Sequence, residues 1–308
     1  MANPNLRALA RYTDSLSHVY LEHAVIERED HSIAAFTPDG RITLPAANLS
    51  CVILGPGTRI THAAIKVLAD CGSVVAWTGG DGLQFYACGQ AKTRLSTGIE
   101  LQAHHWADPA RHLAVVRRMY TARFTDPLPA GLSLQQIRGK EGVRVRDTYY
   151  RLAKQFGVPW VGRRYERAAW ESADPVNKAL SAANAALYAI VLAGLHSLGY
   201  SPSLGFIHTG KQLSFVYDVA DLVKTETSFP AAFEAASGGA ESVESRARRI
   251  LRDRCCHERI QDRLTRLIPG LFQALPEDAA IATSEKVTEI WDPTGNLCGG
   301  VQHARDDS

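Results

Sequence analysis

The segment Leu204–Glu226, with the sequence LGFIHTGKQLSFVYDVADLVKTE, has the pattern around which we expect the fold to be organised. Its apolar first residues lead into a tight turn at His208–Lys211, and a helix follows. Ser214 is predicted to cap this helix, because a short side-chain oxygen accepts hydrogen bonds from the first free amides. Pro230 is predicted to end it, because proline cannot continue a helix.

The predicted helix is amphipathic. At 100° per residue, one face carries the apolar side chains Phe215, Val219, Leu222 and Val223. Asp221 falls on the opposite face, and Asp218 lies on the border between the two faces. A histidine at the turn, His208, and a carboxylate on the next helix can bind one cation, because imidazole with carboxylate suits Mn²⁺ and carboxylate with water suits Mg²⁺. The alternative is an ordinary hydrogen-bonded histidine and a solvated aspartate.

The composition is typical of a soluble globular protein with room for two domains. The 308 residues contain 45% hydrophobic and 21% charged side chains. No apolar run approaches the ~20 residues of a membrane span, and residues 1–18 lack the apolar core of a secretory signal. The six cysteines do not make a disulfide framework. We therefore expect a reduced, cytoplasmic compartment.

Arginine dominates the basic residues. Lysine accounts for only 8 of the 34 lysine and arginine residues, and the net charge is +2. Guanidinium groups bind phosphate oxygens in pairs, which makes arginine common at nucleic-acid surfaces. The alternative is a GC-rich genome, which raises the frequencies of arginine and alanine in every protein.

The pattern along the chain predicts an α+β fold, with a β-rich N-terminal domain followed by an all-helical domain. Residues 1–92 contain short alternating or apolar runs between glycine and proline turns, and one helix that Thr61 caps. Residues 93–274 are predicted to be helical, and they contain the candidate cation ligands His208 and Asp221. Residues 275–308 lose helical periodicity and are predicted to be a mobile tail.

Several helix boundaries in the second domain follow from capping residues. Asp108-Pro109 and Asp174-Pro175 each pair a cap with a first-turn proline, and the helix that begins at Asp174 is alanine-rich and apolar nearly all round, as buried helices are. Ser133 is predicted to begin a long helix that Gly157 ends. A last helix is predicted over Ser242–Ile268.

The segment Gln136–Arg146, QIRGKEGVRVR, places two glycines inside a predicted helix. Each costs about 1 kcal/mol relative to alanine. Either another helix packs closely against Gly139 and Gly142, or a ligand approaches the backbone around Glu141. The neighbours of Glu141 are basic: Arg138, Lys140 and Arg144. This pattern also suits a carboxylate that binds a metal while its neighbours bind phosphates.

A third stretch, WVGRRY at residues 160–165, places two guanidinium groups beside a tyrosine. Arg163, Arg164 and Tyr165 follow the helix-breaking residues 157–159, so they are predicted to lie in a loop fit for phosphate contact and base stacking. The alternative is a surface loop of ion pairs.

Together these motifs resemble the CRISPR-associated integrases of spacer acquisition, the Cas1 family, and within it the type I-E branch. The resemblance covers residues 15–270. The motifs that carry it are Gly55–Arg59 with Thr61–Ala64, Arg138–Gly142, Gly162–Tyr165, and Gly205–Lys211 with Leu213–Asp218 and Ala220-Asp221.

The resemblance implies a metal-dependent integrase that inserts protospacer DNA into a CRISPR array. A DNA 3′-hydroxyl attacks a phosphodiester of the repeat, and related nuclease or disintegrase activity acts on branched DNA. Glu141, His208 and Asp221 would bind Mg²⁺ or Mn²⁺, with Asp218 as a further catalytic residue. Residues 93–274 would then be the catalytic, metal-binding domain. The resemblance also implies a homodimer, two copies of which clamp a dimer of the small partner Cas2.

The resemblance further implies contacts along the DNA path or at the active site: Arg59, Lys66, Arg163, Tyr165, Tyr188, Lys211 and Tyr217. Arg138 and Arg164 join them as basic residues of the same motifs. Two positions depart from the family pattern. His23 stands where relatives place a tyrosine that separates the ends of the duplex, and we retain it as a DNA contact because histidine can stack. Gln84 replaces an arginine expected to contact DNA.

Two other functions remain open at this point. A catalytically silent DNA-binding architectural protein with the same fold would be indifferent to chelators, whereas the integrase would stop. A general metal-dependent nuclease for branched DNA would differ from the integrase only in its preferred reaction. Competition between branched and protospacer DNA would separate these two enzymes.

Overall fold

The structure is a computed structural model that describes residues 18–79, 85–89, 96–129, 131–163, 174–272, 289–290 and 297–298. Its N-terminal part is built from β-sheets with one helix, and the part after residue 96 is helical up to residue 270. The predicted α+β class is therefore confirmed.

Two four-stranded sheets make up the described N-terminal part. The strands are β1 (Val19–Leu21), β2 (Val25–Glu29), β3 (Ser32–Thr37), β4 (Gly40–Leu44), β5 (Cys51–Leu54), β6 (Arg59–Ile60), β7 (Val74–Thr78) and β8 (Phe85–Gly89). One sheet has the order β1-β5-β7-β8 and the other β4-β3-β2-β6. Strands β3 and β4 form an antiparallel hairpin, whose register pairs Thr37 with Gly40.

The first helix, α1 (His62–Asp70), covers the N-terminal core. It begins where predicted, because the Thr61 side chain accepts a hydrogen bond from the amide of Ala64. A short 3₁₀ turn, Ala46–Asn48, packs beside it. The buried side chains between helix and strands include Leu21, Ile26, Ile33, Val52, Leu54 and Leu68.

The helices of the second part are α2 (Thr97–Ala107), α3 (Pro109–Thr121), α4 (Leu134–Phe156), α5 (Pro175–Ser197), α6 (Ser214–Ala220), α7 (Ser228–Ser237), α8 (Val243–His257) and α9 (Ile260–Gly270). The predicted caps of α3, α4 and α5 are confirmed. Asp108, Ser133 and Asp174 each accept a hydrogen bond from a first-turn amide. Gly157 ends α4 with φ of 65°, a left-handed conformation that glycine adopts without strain.

Helix α5 is the centre of the helical part, and α7 and α8 pack against it. It is long and apolar enough to cross a membrane by length and composition, but 83% of its most apolar stretch is buried inside the protein. Its alanines let the neighbouring helices approach closely. The prediction of a buried helix is confirmed, and packing accounts for its composition.

The apolar core continues across the predicted domain boundary at residue 92. Cys51, Ile53 and Val74 of the first sheet belong to the same buried cluster as Leu187 and Ile190 of α5. The sheet therefore rests on the central helix. The division into domains and the mobile tail stay predictions. Within the predicted tail, strands β9 (Glu289–Ile290) and β10 (Leu297–Cys298) pair antiparallel.

The predicted helix Ser242–Ile268 is wrong in one respect, because it is two helices. The chain breaks between α8 and α9 at Arg259, whose φ of 47° is left-handed. The break changes the direction of the chain, so that Cys255 before it and Ile260 after it are both buried in the same core.

The predicted helix after residue 214 is also shorter than expected. Helix α6 ends at Ala220, turns occupy residues 221–227, and Pro230 lies in the first turn of α7. Proline is tolerated there because first-turn amides have no intrahelical acceptor. Ser214 is the first residue of α6 rather than its cap. Its hydroxyl accepts a hydrogen bond from the amide of Lys211, 3.0 Å away, and so closes the preceding turn.

The two glycines inside α4 have no packing role within the described structure. A Cβ built at Gly139 or Gly142 meets no described atom within 4 Å, and both residues are exposed. The described helices therefore do not explain these glycines. A ligand that approaches the helix backbone stays a prediction.

We predict that Gly139→Ala and Gly142→Ala each raise the free energy of unfolding by about 0.5–1 kcal/mol, because alanine loses less backbone entropy in a helix. Urea denaturation measures this change. The matched control is Gly98→Ala in α2, where the new Cβ would lie 2.7 Å from the carbonyl oxygen of Leu198 and should destabilise the fold. A loss of stability in the Gly142 variant would contradict the open space beside α4.

Candidate functional site

A buried carboxylate, Asp218 of α6, organises the turn that precedes the helix. Its side chain is 0% exposed. Oδ2 accepts hydrogen bonds from the amides of Phe206 at 2.6 Å and Ile207 at 3.0 Å. Oδ1 accepts from the amide of His208 at 2.9 Å and lies 2.7 Å from its Nδ1. The helical wheel placed Asp218 on the border of two faces, and the structure shows that its side chain is fully buried because it accepts the hydrogen bonds of the turn.

The imidazole of His208 is held in one orientation by this carboxylate. Nδ1–H donates to Asp218, which fixes the tautomer and leaves Nε2 as the nitrogen with a free lone pair. The side chain is 44% exposed, and its ring packs edge-on against Tyr217 with 5.9 Å between centroids. Asp218 is therefore a positioning residue in this structure, and His208 presents Nε2 outward.

The other two predicted ligands, Glu141 and Asp221, face one guanidinium group. Arg123, just after α3, places Nη1 3.4 Å from Oε1 of Glu141 and Nη2 3.5 Å from Oδ2 of Asp221. Glu141 comes from α4, and Asp221 is the residue that directly follows α6. Carboxylates that are far apart in the sequence thus point at the same positive charge.

Two more cations flank the pair of carboxylates. Arg144 donates from Nε and Nη2 to Glu141 at 2.9 and 3.0 Å. Lys224 donates from Nζ to Asp221 at 2.7 Å and to the Tyr188 hydroxyl at 2.9 Å. Burial raises the pKa of the Asp221 carboxyl, but the Lys224 ammonium and the Arg123 guanidinium outweigh it and hold this pKa below its ordinary value. Asp221 is therefore ionised near neutral pH.

Arg123 has few hydrogen-bond acceptors for a buried cation. Its side chain is only 5% exposed, and among the described residues no group accepts a hydrogen bond from its Nε or Nη2. The guanidinium lies over the ring of Tyr120, 5.0 Å from the centroid. Arg123 was not predicted from the sequence, because it lies outside every motif and only the tertiary structure brings it to the two carboxylates.

No three His, Cys, Asp or Glu side chains lie close enough together to form a metal cluster in the described part of the chain. Arg123 bridges Glu141 and Asp221 instead. The donor types nevertheless fit a divalent cation, since two carboxylates converge on one positive group and His208 offers Nε2 from a separate turn. The metal ligand set stays a prediction.

Two of the predicted tyrosines, Tyr188 and Tyr217, lie at this site. The rings of Tyr188 and Tyr217 meet edge-on with 5.0 Å between centroids. Tyr217 contacts His208 and Tyr188 contacts Lys224, so the two aromatic rings connect the histidine side of the site to the carboxylate side. Lys211 is exposed at the end of the turn.

Other predicted DNA contacts lie on exposed surface. Arg138 is on α4 near Glu141, Arg59 is in β6, and Lys66 is on α1 with Nζ 2.7 Å from the carboxylate of Asp70. His23 packs against the turn at residues 55–57. A Cβ added at Gly57 would lie 2.5 Å from the imidazole Nδ1 of His23.

Arg163 is exposed at the surface, and it is also bound to α5. Its guanidinium donates to Asn177 Oδ1 at 2.8 Å and to Ser181 Oγ at 3.0 Å. These bonds favour a structural role for Arg163, so its contact with phosphate stays a prediction. Arg164 and Tyr165, and also Gln84, lie outside the described residues.

Comparison with known proteins gives consistent results. Residues 123–235 match the model of the family described as "CRISPR associated protein Cas1". The Thermus thermophilus protein "CRISPR-associated endonuclease Cas1 2" is 48% identical over 307 residues, which cover 98% of this chain and 94% of that protein. The Escherichia coli "CRISPR-associated endonuclease Cas1" is 40% identical over 277 residues, which cover 86% and 90%. The solved "TtCas1-DNA complex" matches with a TM-score of 0.79 at 46% identity over 92% of this chain and 99% of that chain.

We predict that Asp218→Asn lowers the free energy of unfolding by about 3 kcal/mol, because an amide nitrogen would face buried backbone N–H donors that now bind a carboxylate. Denaturant titration followed by circular dichroism measures the loss. Asp253→Asn is the matched control: that carboxylate is 64% exposed beside Arg252, and its change should stay within about 0.5 kcal/mol. Equal effects of the two substitutions would contradict the role of Asp218.

Proposed function

The chain belongs to the CRISPR-associated Cas1 family, and from that premise we propose that it is a metal-dependent DNA integrase that inserts protospacer DNA into a CRISPR array. The observation that carries the proposal is the convergence of Glu141 and Asp221 on one guanidinium, beside a histidine that a buried aspartate orients. The relatives named above as endonucleases and the relative solved with DNA support it.

The proposed metal site uses Glu141, Asp221 and Nε2 of His208. When bound there, Mg²⁺ or Mn²⁺ supplies Lewis acidity at the phosphodiester. The protein contributes orientation: Asp218 holds the histidine ring, and the helices α4 and α6 present the two carboxylates. A carboxylate that holds a metal-binding histidine through its other nitrogen is a common arrangement in metal sites.

The proposed reaction is strand transfer. The 3′-hydroxyl of the protospacer loses its proton, and its oxygen forms a bond to phosphorus. The bond from phosphorus to a 3′-oxygen of the target strand breaks, and that oxygen takes up a proton, so the number of phosphodiester bonds is unchanged. Arg144, Lys224 and Lys211 would stabilise the negative charge that accumulates on the phosphoryl oxygens. The same site with water as nucleophile would nick DNA.

The DNA path is proposed to cross the exposed face of α4 next to Glu141. Gly139 and Gly142 leave this helix backbone bare, and Arg138 projects from the same exposed segment. A sugar-phosphate backbone can approach the helix more closely at these glycines than at positions that carry side chains. The proposed contacts are Arg59, Lys66, Arg138, Arg163, Arg164, Tyr165, Tyr188, Lys211, Tyr217 and His23.

The sequence motifs also support finer proposals. These are membership of the type I-E branch, a homodimer, two homodimers that clamp a Cas2 dimer, and action in the cytoplasm. A silent architectural protein is disfavoured, because DNA binding alone does not require two acidic side chains directed into a basic site.

We predict that His208→Ala and Asp221→Ala each reduce strand transfer at least about 100-fold, while duplex affinity measured without divalent ions changes less than about threefold. The assays are integration of a labelled protospacer and filter binding on purified protein. His257→Ala, which removes a histidine side chain that is 86% exposed, should leave both quantities unchanged. Strand transfer retained in either site variant would refute the assignment.

Two further conditions separate the alternative functions. Chelation of divalent ions should stop the integrase but leave a silent DNA-binding protein unaffected. In a competition assay, the integrase should prefer protospacer DNA, whereas a branched-DNA nuclease should prefer the branched substrate.

We predict that Gly142→Gln weakens duplex binding more than Gly142→Ala, because the longer side chain fills the bare helix face proposed for DNA. Glutamine is a good helix former, so the fold should remain stable. Affinity and melting temperature are measured on the same samples. Unchanged affinity in the glutamine variant would place the DNA path elsewhere.

A further inference from the structure

The carboxylate pair of the site is already more than neutralised by buried cations. Glu141 and Asp221 supply two negative charges, while Arg123, Arg144 and Lys224 contact them directly with three positive charges. The most exposed of the five side chains is only 23% exposed, so salt and water screen these charges weakly. The five side chains together therefore carry a net positive charge, which repels a divalent cation.

Arg123 occupies the position that both carboxylates share. Its Nη1 faces one carboxylate and its Nη2 faces the other. A metal ion held by both carboxylates would therefore compete with this guanidinium. Arg123 also has two buried nitrogens without acceptors among the described residues, and such donors carry an unmet cost of desolvation. A phosphate group, which has several charged oxygens, is the ligand class that satisfies guanidinium donors best.

We propose that Arg123 is the resident cation of this carboxylate pair, and that DNA phosphate draws its guanidinium away so that a divalent metal ion can bind. The inference rests on the proposed function and adds a coupling to it. The site is closed to metal in the free protein and opens when DNA binds. Because coupling between two ligands is reciprocal, the metal must strengthen DNA binding by the same factor by which DNA strengthens metal binding.

Two substitutions separate the effect of the charge of Arg123 from the effect of its shape. Arg123→Gln removes one positive charge next to the metal position. This should raise the affinity for Mn²⁺ in the absence of DNA at least about tenfold, because one charge has that effect on a dication ~6 Å away even in water, and screening is weaker here. Arg123→Lys keeps the charge, so its Mn²⁺ affinity without DNA should stay as low as that of the wild type.

The experiment is a titration of free Mn²⁺ by electron paramagnetic resonance, which needs no turnover. The full chain is titrated with and without a protospacer duplex whose 3′ ends are dideoxy, and the duplex alone serves as the blank. Arg254→Gln is the matched control, because Arg254 is also a partly buried arginine paired with one carboxylate, Glu234, and its Nε also lacks an acceptor among the described residues.

The proposal requires three results: DNA tightens Mn²⁺ binding to the wild type, Arg123→Gln tightens it without DNA and reduces the effect of DNA, and Arg254→Gln behaves as the wild type. Mn²⁺ bound equally with and without DNA would overturn the coupling while leaving the metal site in place. No bound Mn²⁺ in either condition would overturn the proposed metal site and the coupling together. Should Arg123→Gln fail to fold, the wild type and Arg123→Lys decide by the same comparison.

Discussion

The site depends first on a single buried carboxylate. Asp218 accepts hydrogen bonds from three consecutive amides and from the ring of His208, in a position without exposure to water. An ionised carboxylate is costly to bury unless such donors surround it, and the donors would be equally costly to bury without it. Helix α6 and the preceding turn therefore fold as one piece, and the direction of the imidazole follows from that.

The second constraint is the surplus of positive charge. Cations that pair with carboxylates in the free protein can also stabilise the negative charge of a phosphoryl group when DNA is bound. Arg123, Arg144 and Lys224 can serve both states, provided that they exchange partners. In the proposed coupling, this exchange would delay assembly of the metal site until the substrate is present, and it would thereby limit unwanted hydrolysis of DNA.

Local signals in the sequence predicted much of the fold, and tertiary contacts explain what they missed. Caps such as Ser133 and Asp174 were found because a side chain and a nearby amide decide them. The end of α6 was missed because Pro230 is tolerated in the first turn of the next helix. The amphipathic pattern does not show that Asp218 binds a turn, or that Arg123 reaches two carboxylates. Glu141 was singled out by its basic neighbours and by family resemblance, not by its spacing.

The central claim is that His208, held by Asp218, shares one divalent ion with Glu141 and Asp221. Pulsed electron paramagnetic resonance of Mn²⁺ bound in the presence of DNA tests it directly, because a coordinated imidazole gives a nitrogen hyperfine coupling. The account predicts this coupling in the wild type and its loss in His208→Ala. Bound Mn²⁺ without nitrogen coupling, or coupling that survives in His208→Ala, would contradict the account.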